Sequence, residues 1–555
     1  MVVGANNAIA LNGSFSYTGS SSLDLGTGAV TISSGNKFVT VSANSLTLGG
    51  SMSGAGSIQK QGNGTLVLKG NNTFSGGIIL DAGALHLGHA NALGSRGLTR
   101  ISGGTLDNTS GAALTLASNA WEWNGNFTFT GTKDLDMGAG AVSLVAAAAD
   151  RRVTVNGGAL TIGGVISNSA AGGIRKEGAG SLILSGLSTY TGTTSATGGR
   201  LIVQTNVLKG QDGALGKASS AVSLANAALL SDGGYTLDRD ITTTGDAGIG
   251  GLKDASAVFS GNVSLAKTLT IEQAVTTGTN KLTVSGNITG ATGSTKTVLL
   301  QGPGKMDITG VISNGAAFGS TVSLEVNGAD ARLSGNSTFT GSTKISSGLL
   351  YMDGTHIGAG QYDVDSGGML SGSGSITTVD ANIVINSGGK LGAGSRANSG
   401  TLSLNLGTGG LGIFDAAATE ASQSLLFRLG VDEFSNAFND KIVLSNPSSF
   451  LAIGLGTLEF NDFVFTLETS LGIGVHSFTL FETSQAIAGT FGDGLTGYIG
   501  GNLASIGFGD AGSDIILTVN VIPEPGAVPL VGLGIVLAGV LGRRQRKICN
   551  GAAAL

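Results

Sequence analysis

Short runs of alternating apolar and polar residues follow one another along most of this chain, each closed by Gly, Asn or Ser. Alternation with a period of two between turn residues predicts short strands with one buried face. The clearest stretch is residues 178–203, GAGSLILSGLSTYTGTTSATGGRLIV, which recurs at 62–87 as GNGTLVLKGNNTFSGGIILDAGALHL and more loosely at 328–352. In each copy an apolar alternating run (65–68, 181–184, 331–333) meets a polar turn around an aromatic residue, Phe74, Tyr190 or Phe339. A second strand (78–80, 193–196, 342–345), a Gly-containing corner and a third strand (84–87, 200–203, 349–352) follow. Three strands in about 25 residues cannot bury their apolar faces alone, so the units must stack into a solenoid with a continuous Leu/Ile/Val core. The expected fold is all-β: a right-handed parallel β-helix over 1–400, each unit supplying one coil.

The intervening sequence keeps this texture. Strand-sized runs at 15–17, 30–32, 38–41 and 46–48 alternate with Gly/Ser/Asn turns. WEWNGNFTFTG, from Trp121 to Gly131, places Trp121 and Trp123 on one side of a strand and Phe127 and Phe129 likewise. Interior packing of these rings is the expectation, and an exposed sugar-stacking platform the alternative. AAAADRR at 146–152 is a place for a short helical bulge. Near residue 400 the runs lengthen and become richer in Phe (425–429, 442–444, 451–460, 463–467, 476–481, 515–519). Because the open end of a solenoid is an unpaired edge, 401–520 is expected to form a terminal β module that caps it.

The tail has a different logic. Residues 521–547 read VIPEPGAVPLVGLGIVLAGVLGRRQRK, followed by eight more residues, 548–555. The uncharged run 527–542 would span about 24 Å as a single transmembrane helix, a little under the ~30 Å hydrocarbon core. Arg543, Arg544, Arg546 and Lys547 can snorkel to cytoplasmic headgroups and set the body outside. Pro523 and Pro525 hold Ile522 and Glu524 extended, so the charged Pro523–Glu524–Pro525 tripeptide is accessible to a protease cleft.

Composition narrows the function classes. Gly makes up 97 of 555 residues without a period of three, so the chain is not collagen-like. An apolar content of 41% argues against disorder. The net charge is −6; four cations against one carboxylate in the tail leave −9 for the body, which disfavours nucleic acid as a partner. The single cysteine, Cys549, lies in the tail, so the body holds neither a disulfide nor a thiolate metal cluster. The first eleven residues lack a basic n-region and an apolar core, so an export leader is expected outside this sequence.

Chemistry is sparse. Of the four histidines, His86, His89, His356 and His476, the first two are spaced i, i+3, yet His86 alternates outward and His89 sits in a turn; His476 faces no visible nucleophile. No G-x-S-x-G or G-x-x-x-x-G-K-[ST] motif stands in a supporting context. The acid pairs Asp134 with Asp136, Asp363 with Asp365, and Asp238-Arg239-Asp240 read as corner punctuation. No catalytic residue, metal or cofactor is implied.

Two resemblances add to this reading. Gly62, Gly64, Leu66, Leu68, Gly70, Thr73, Phe74, Ser75 and Gly76 resemble the autotransporter-associated β-strand repeat, as do Gly178, Gly180, Leu182, Leu184, Gly186, Thr189, Tyr190, Thr191 and Gly192. The third copy keeps Leu333, Gly335, Thr338, Phe339, Thr340 and Gly341 without the leading G-x-G. The Pro-Glu-Pro, apolar helix and basic cluster resemble the PEP-CTERM sorting signal. That resemblance implies processing by a membrane-embedded exosortase that recognises Pro523, Glu524 and Pro525, with Arg543, Arg544, Arg546 and Lys547 as the stop. The expectation is therefore an exported bacterial surface or matrix protein: transiently anchored in the inner membrane, a non-enzymatic structural or adhesive rod roughly 100–120 Å long at a ~4.8 Å coil spacing, linked to exopolysaccharide and biofilm. The alternatives are a β-helical polysaccharide lyase or hydrolase, or a glycan-binding module.

Overall fold

The computed structural model describes residues 6–522 except 96, 146–148, 276–277, 292, 317, 397, 415–423, 432–436 and 454–457. These residues form a parallel β-solenoid of about 17 turns. Among them there is no α-helix, only the 3-10 turns Phe460–Asp462 and Asp510–Gly512. Strands of the walls hydrogen-bond in parallel to the coils before and after them. One ladder has eight strands, from Phe15–Tyr17 to Ile166–Asn168; a second has 14, from Leu23–Asp24 to Ile312–Ser313; a third has 24, from Leu114–Thr115 to Phe463–Leu467.

Alternation decides what faces inward. Ser181–Leu184 buries Leu182 and Leu184, and Ala84–Leu87 buries Leu85 and Leu87, while intervening residues face out. The inward side chains of successive coils merge into one core cluster extending from Leu11 to Val519. Trp121 and Trp123 belong to it, 1% and 0% exposed, with Trp123 edge-on to Phe127 at 5.0 Å.

The pairing register redefines the repeat. Thr65 pairs with Ala84, Ser181 with Arg200 and Ala331 with Leu350, so the first and third strands of each copy stack on one face, 19 residues apart. Each copy thus spans one tight turn plus its overlap with the next, and not a single coil. Elsewhere turns are longer: Phe127 pairs with Val153 and Leu411 with Leu451. About 17 turns at ~4.8 Å give a stack of about 80 Å, shorter than expected because a few turns, such as that from Leu411 to Leu451, take far more than 25 residues.

The G-x-G of the repeat is a corner requirement. Gly62 and Gly178 have φ of 76° and 81°, in the left-handed region open to glycine. A Cβ on Gly64 or Gly180 would stand 2.8 Å from the Asn44 carbonyl oxygen or 2.7 Å from that of Gly157, both in the preceding coil. In the third copy, which lacks the motif, Thr321–Leu333 runs through as one 13-residue strand whose register slips around Asn327.

Past residue 400 the parallel ladder continues: Thr401–Asn405 pairs with Ser375–Thr377, and Gly410–Ile413 with Phe450–Ile453. Antiparallel pairing then enters. Leu425–Val431 forms a hairpin with Ala437–Asn439, and Gly474–Thr483, Asp514–Val521, Asn502–Gly509 and Thr496–Ile499 follow one another as an antiparallel sheet. The strand expected over 451–460 is shorter: Phe450–Ile453 is strand, 454–457 lie outside the described residues, and Phe460–Asp462 is a 3-10 turn. Of the expected helical bulge, 146–148 lie outside the described residues, while Arg151–Val155 is strand because Arg151 and Arg152 join the ladder.

Replacing Trp123 by Ala should cost about 3–5 kcal/mol through cavity formation. Trp123→Phe, which keeps a ring and removes an indole N–H that has no protein acceptor, should cost less than half as much. Denaturant titration of the purified body reads both.

Candidate functional site

Pro523, Glu524, Pro525, the apolar run 527–542 and Arg543, Arg544, Arg546 and Lys547 lie outside the described residues. No helix among the described residues is long and apolar enough to cross a membrane. Burial of Trp121 and Trp123 overturns the exposed sugar platform, since neither ring reaches the surface.

The histidines and acid pairs are dispersed. His86 sits half-buried on an outward face; His89 Nδ1 accepts the Asn91 N–H at 3.0 Å; His476 Nε2 meets the Gly472 carbonyl at 2.7 Å. Asp134 and Asp136 accept the backbone N–H groups of Ala159 and Gly138. Asp365 takes a hydrogen bond from Asn386 Nδ2 and an ion pair from Lys344, and Asp363 one from Gln361. Among the described residues, no group of three or more His, Cys, Asp or Glu side chains is disposed to hold a metal ion.

Several charged groups instead point inward, which alternation alone disguises. Lys60 and Lys176, each just before a G-x-G, are fully buried. Lys60 Nζ donates to the carbonyls of Gln61, Gly62 and Ala82 at 2.9, 2.8 and 3.0 Å, and Lys176 serves its corner through Glu177, Gly178 and Gly198. Burial lowers both ammonium groups to about 8. Arg239 turns away from its flanking aspartates into the core, where Nη1 donates to the Leu215 carbonyl at 2.7 Å and Nε to that of Ser220 at 2.9 Å. Beside it, Tyr190 bonds Thr194 at 2.9 Å, and burial pushes its phenol up to about 12.

His356 is the polar residue that sequence reasoning missed most completely. It is 0% exposed, stacked on Phe339 with centroids 4.0 Å apart. Nε2 donates to the Phe339 carbonyl at 2.8 Å, which leaves Nδ1 to accept the Tyr362 hydroxyl. The repeat aromatic is thereby tied to the following coil. Its other two copies carry a phrase the sequence reading passed over, Ala92-Leu93-Gly94 and Ala214-Leu215-Gly216, in the coil after Phe74 and Tyr190. Gly94 and Gly216 have φ of 80° and 70° beneath the aromatic carbonyls.

The main outward concentration of charge is a clasp over neighbouring rungs. Asp307, Asp330, Tyr351 and Met369 lie on successive strands, with Lys390–Gly392 beyond. From the loop after that last strand, Arg396 folds back over the others. Its Nη1 donates to Asp307 Oδ1 at 2.9 Å, its Nη2 to Asp330 Oδ1 at 2.8 Å, and its guanidinium stands 5.5 Å over the Tyr351 ring. Lys281 and Arg332 also face Asp307, and Arg332 Nε donates to Asp353 Oδ2 at 2.6 Å. From the other side Arg428 donates to Asp440 Oδ2 at 3.1 Å and holds the Ser395 carbonyl at 2.9 Å, while the Gly400 N–H donates to Asp440 Oδ1. A cavity of about 200 Å³ remains beneath.

The electrostatics fit a clasp. Burial would raise Asp307, but the hydrogen bonds and charges of Lys281 and Arg396 outweigh it and hold the carboxyl below its usual range. Asp440 is raised, because burial exceeds what Arg428 and the Gly400 N–H return. Three carboxylates, Asp307, Asp330 and Asp353, thus converge with three cations, each acid already engaged. The arrangement ties coils to one another.

Similarity to known proteins agrees with the repeat architecture. Residues 58–87, 174–203 and 331–351 match the passenger-associated-transport-repeat family. The chain is also 31% identical over 213 residues to a protein named adhesin BmaC autotransporter from Brucella suis biovar 1 (strain 1330). That match covers 35% of this chain and 5% of the adhesin, so the chain spans a small fraction of its relative's length.

Arg396→Ala should destabilise the body by roughly 2–3 kcal/mol, below the usual range for breaking a buried pair because the guanidinium is partly exposed; the denaturant midpoint measures it. Burial lowers His356, partly offset by its bond to the Phe339 carbonyl. The unfolded chain therefore binds the proton more readily, and His356 should withdraw stability as pH falls below about 6.5. Thermal melts from pH 7.5 to 5 should show this loss, and His356→Gln should flatten it while melting lower at pH 7.5.

Proposed function

We propose that this chain is the body of an exported bacterial surface or extracellular-matrix protein, a non-enzymatic β-helical rod that acts by structure and adhesion. The observation that carries the reading is how polar chemistry is used. Lys60, Lys176, Arg239 and His356 serve backbone acceptors inside the solenoid, and the outward carboxylates Asp307, Asp353 and Asp440 are engaged by cations. A lyase or hydrolase needs an acid or base free to exchange protons with substrate, which these three carboxylates are not. The transport-type repeats, and the adhesin name of the relative, favour a stalk or adhesive surface.

In this reading the antiparallel strands within 401–520 cover the end of the solenoid, and the coil winds right-handed, as strand-to-strand crossovers in parallel sheets do. The sorting route is proposed from the tail: an exosortase recognises Pro523, Glu524 and Pro525, the segment 527–542 anchors transiently in the inner membrane, and Arg543, Arg544, Arg546 and Lys547 stop transfer. The partner that follows from this route is extracellular polysaccharide, and the setting biofilm.

Expressed in a host with its exosortase and fractionated, the mature protein should have lost the residues beyond Pro525 by intact mass and should be recovered outside the inner membrane. An uncut chain retained in that membrane would reduce the tail to a plain anchor. Pro525→Ala should leave the chain uncut in the same host.

A further inference from the structure

One wall of the solenoid is pared down at two paired outward positions of adjacent rungs, Ala228 and Gly248. On Ala247–Gly251 the partly exposed outward position is Gly248, which pairs with Ala228 on the rung before. The rungs on either side carry full side chains: Arg200 with Ile202, and Thr270 with Glu272. The result is an open trough of about 560 Å³ crossing the wall along the strand direction. Its floor is Ala228 and Gly248, with Leu230 and Leu252 toward one end. At a spacing of ~4.8 Å the walls stand about 14 Å apart, and five extended residues make the trough about 16 Å long. The volume falls within the ordinary range for ligand sites.

The trough is amphipathic in a particular way. Arg200 stands on one wall and Glu272 on the other; neither side chain has a hydrogen bond or ion pair among the described residues. Asp246 and Asn226 line the polar end. Planar groups with free donors and acceptors at the rims, over a flat apolar floor, match a pyranose chain, whose rings carry apolar faces and equatorial hydroxyls.

The other occupants fit less well. The floor strands are paired on both sides, so no free edge is offered to an extended peptide. The acidic body disfavours nucleic acid.

We propose that this trough binds a short stretch of an uncharged, β-linked polysaccharide laid across the wall, Arg200 and Glu272 bonding its hydroxyls from opposite rims. The inference rests on the adhesive reading above and gives it a location. One such contact is weak; a dense array of rods on a surface would multiply it.

The test uses xylohexaose as probe with the purified full-length chain in detergent, read by calorimetry and by chemical-shift perturbation of the sugar. The wild type should bind in the millimolar-to-submillimolar range. Ala228→Leu, which fills the floor from a half-exposed position, should weaken binding at least about tenfold. Arg200→Ala and Glu272→Gln, surface changes that leave the fold alone, should each weaken it severalfold, and Glu325→Gln, outside the trough, should not. Circular dichroism and melting temperature establish folding of each variant. Absence of wild-type binding, or binding untouched by Ala228→Leu, Arg200→Ala and Glu272→Gln, overturns the proposal. Retention of the same proteins on exopolysaccharide from the host separates the two readings. Equal retention of wild type and Ala228→Leu leaves adhesion standing without the trough; retention of neither removes both.

Discussion

Each coil can satisfy its backbone only through the coils on either side, and the rest of the structure follows from that constraint. The N–H and C=O groups of a parallel strand point to its neighbours, so one coil in isolation has almost no hydrogen bonds of its own. Chain corners must then pass within van der Waals distance of one another at every rung. Gly62 and Gly64 meet that demand in the first repeat, and Gly178 and Gly180 in the second. Where corner carbonyls would face the core, a buried lysine supplies three donors, as Lys60 does at Gln61, Gly62 and Ala82. Where the motif is missing, around Asn327, the chain runs on as a strand and its register slips.

This explains what was legible beforehand. Strands such as Thr65–Leu68 and Ala84–Leu87 could be read because period-2 alternation is a local signal, and one face must be apolar to build a core. The inward direction of Trp121 and Trp123 followed from the same rule. Register was not legible: that Thr65 stacks on Ala84 depends on how much chain each corner consumes. Nor were inward polar groups, because an alternating pattern treats Lys176 or His356 as solvent-facing by residue type, although their positions place them inside. The clasp was hidden for another reason. Arg396 meets Asp330 and Asp307 across 66 and 89 residues, and nothing local in the sequence joins them.

Function in such a molecule resides in what the outer walls present. The interior is closed by its own packing, and the most charged outward region ties coils together. What remains is a long surface with a weakly acidic balance, a trough where side chains are withheld, and an antiparallel C-terminal sheet. A rod of this kind suits many weak contacts better than a single tight one. The shared repeats and the similarity to an autotransporter-type protein each cover only parts of the chain.

On the proposed reading, the stacked body is displayed outside the cell. An epitope inserted after Gln211, in an exposed loop between rungs, would report its position without breaking a ladder. Antibody labelling of intact cells of the exosortase-bearing host should equal the labelling of permeabilised cells. Labelling that appears only after permeabilisation would place the body inside and contradict the account.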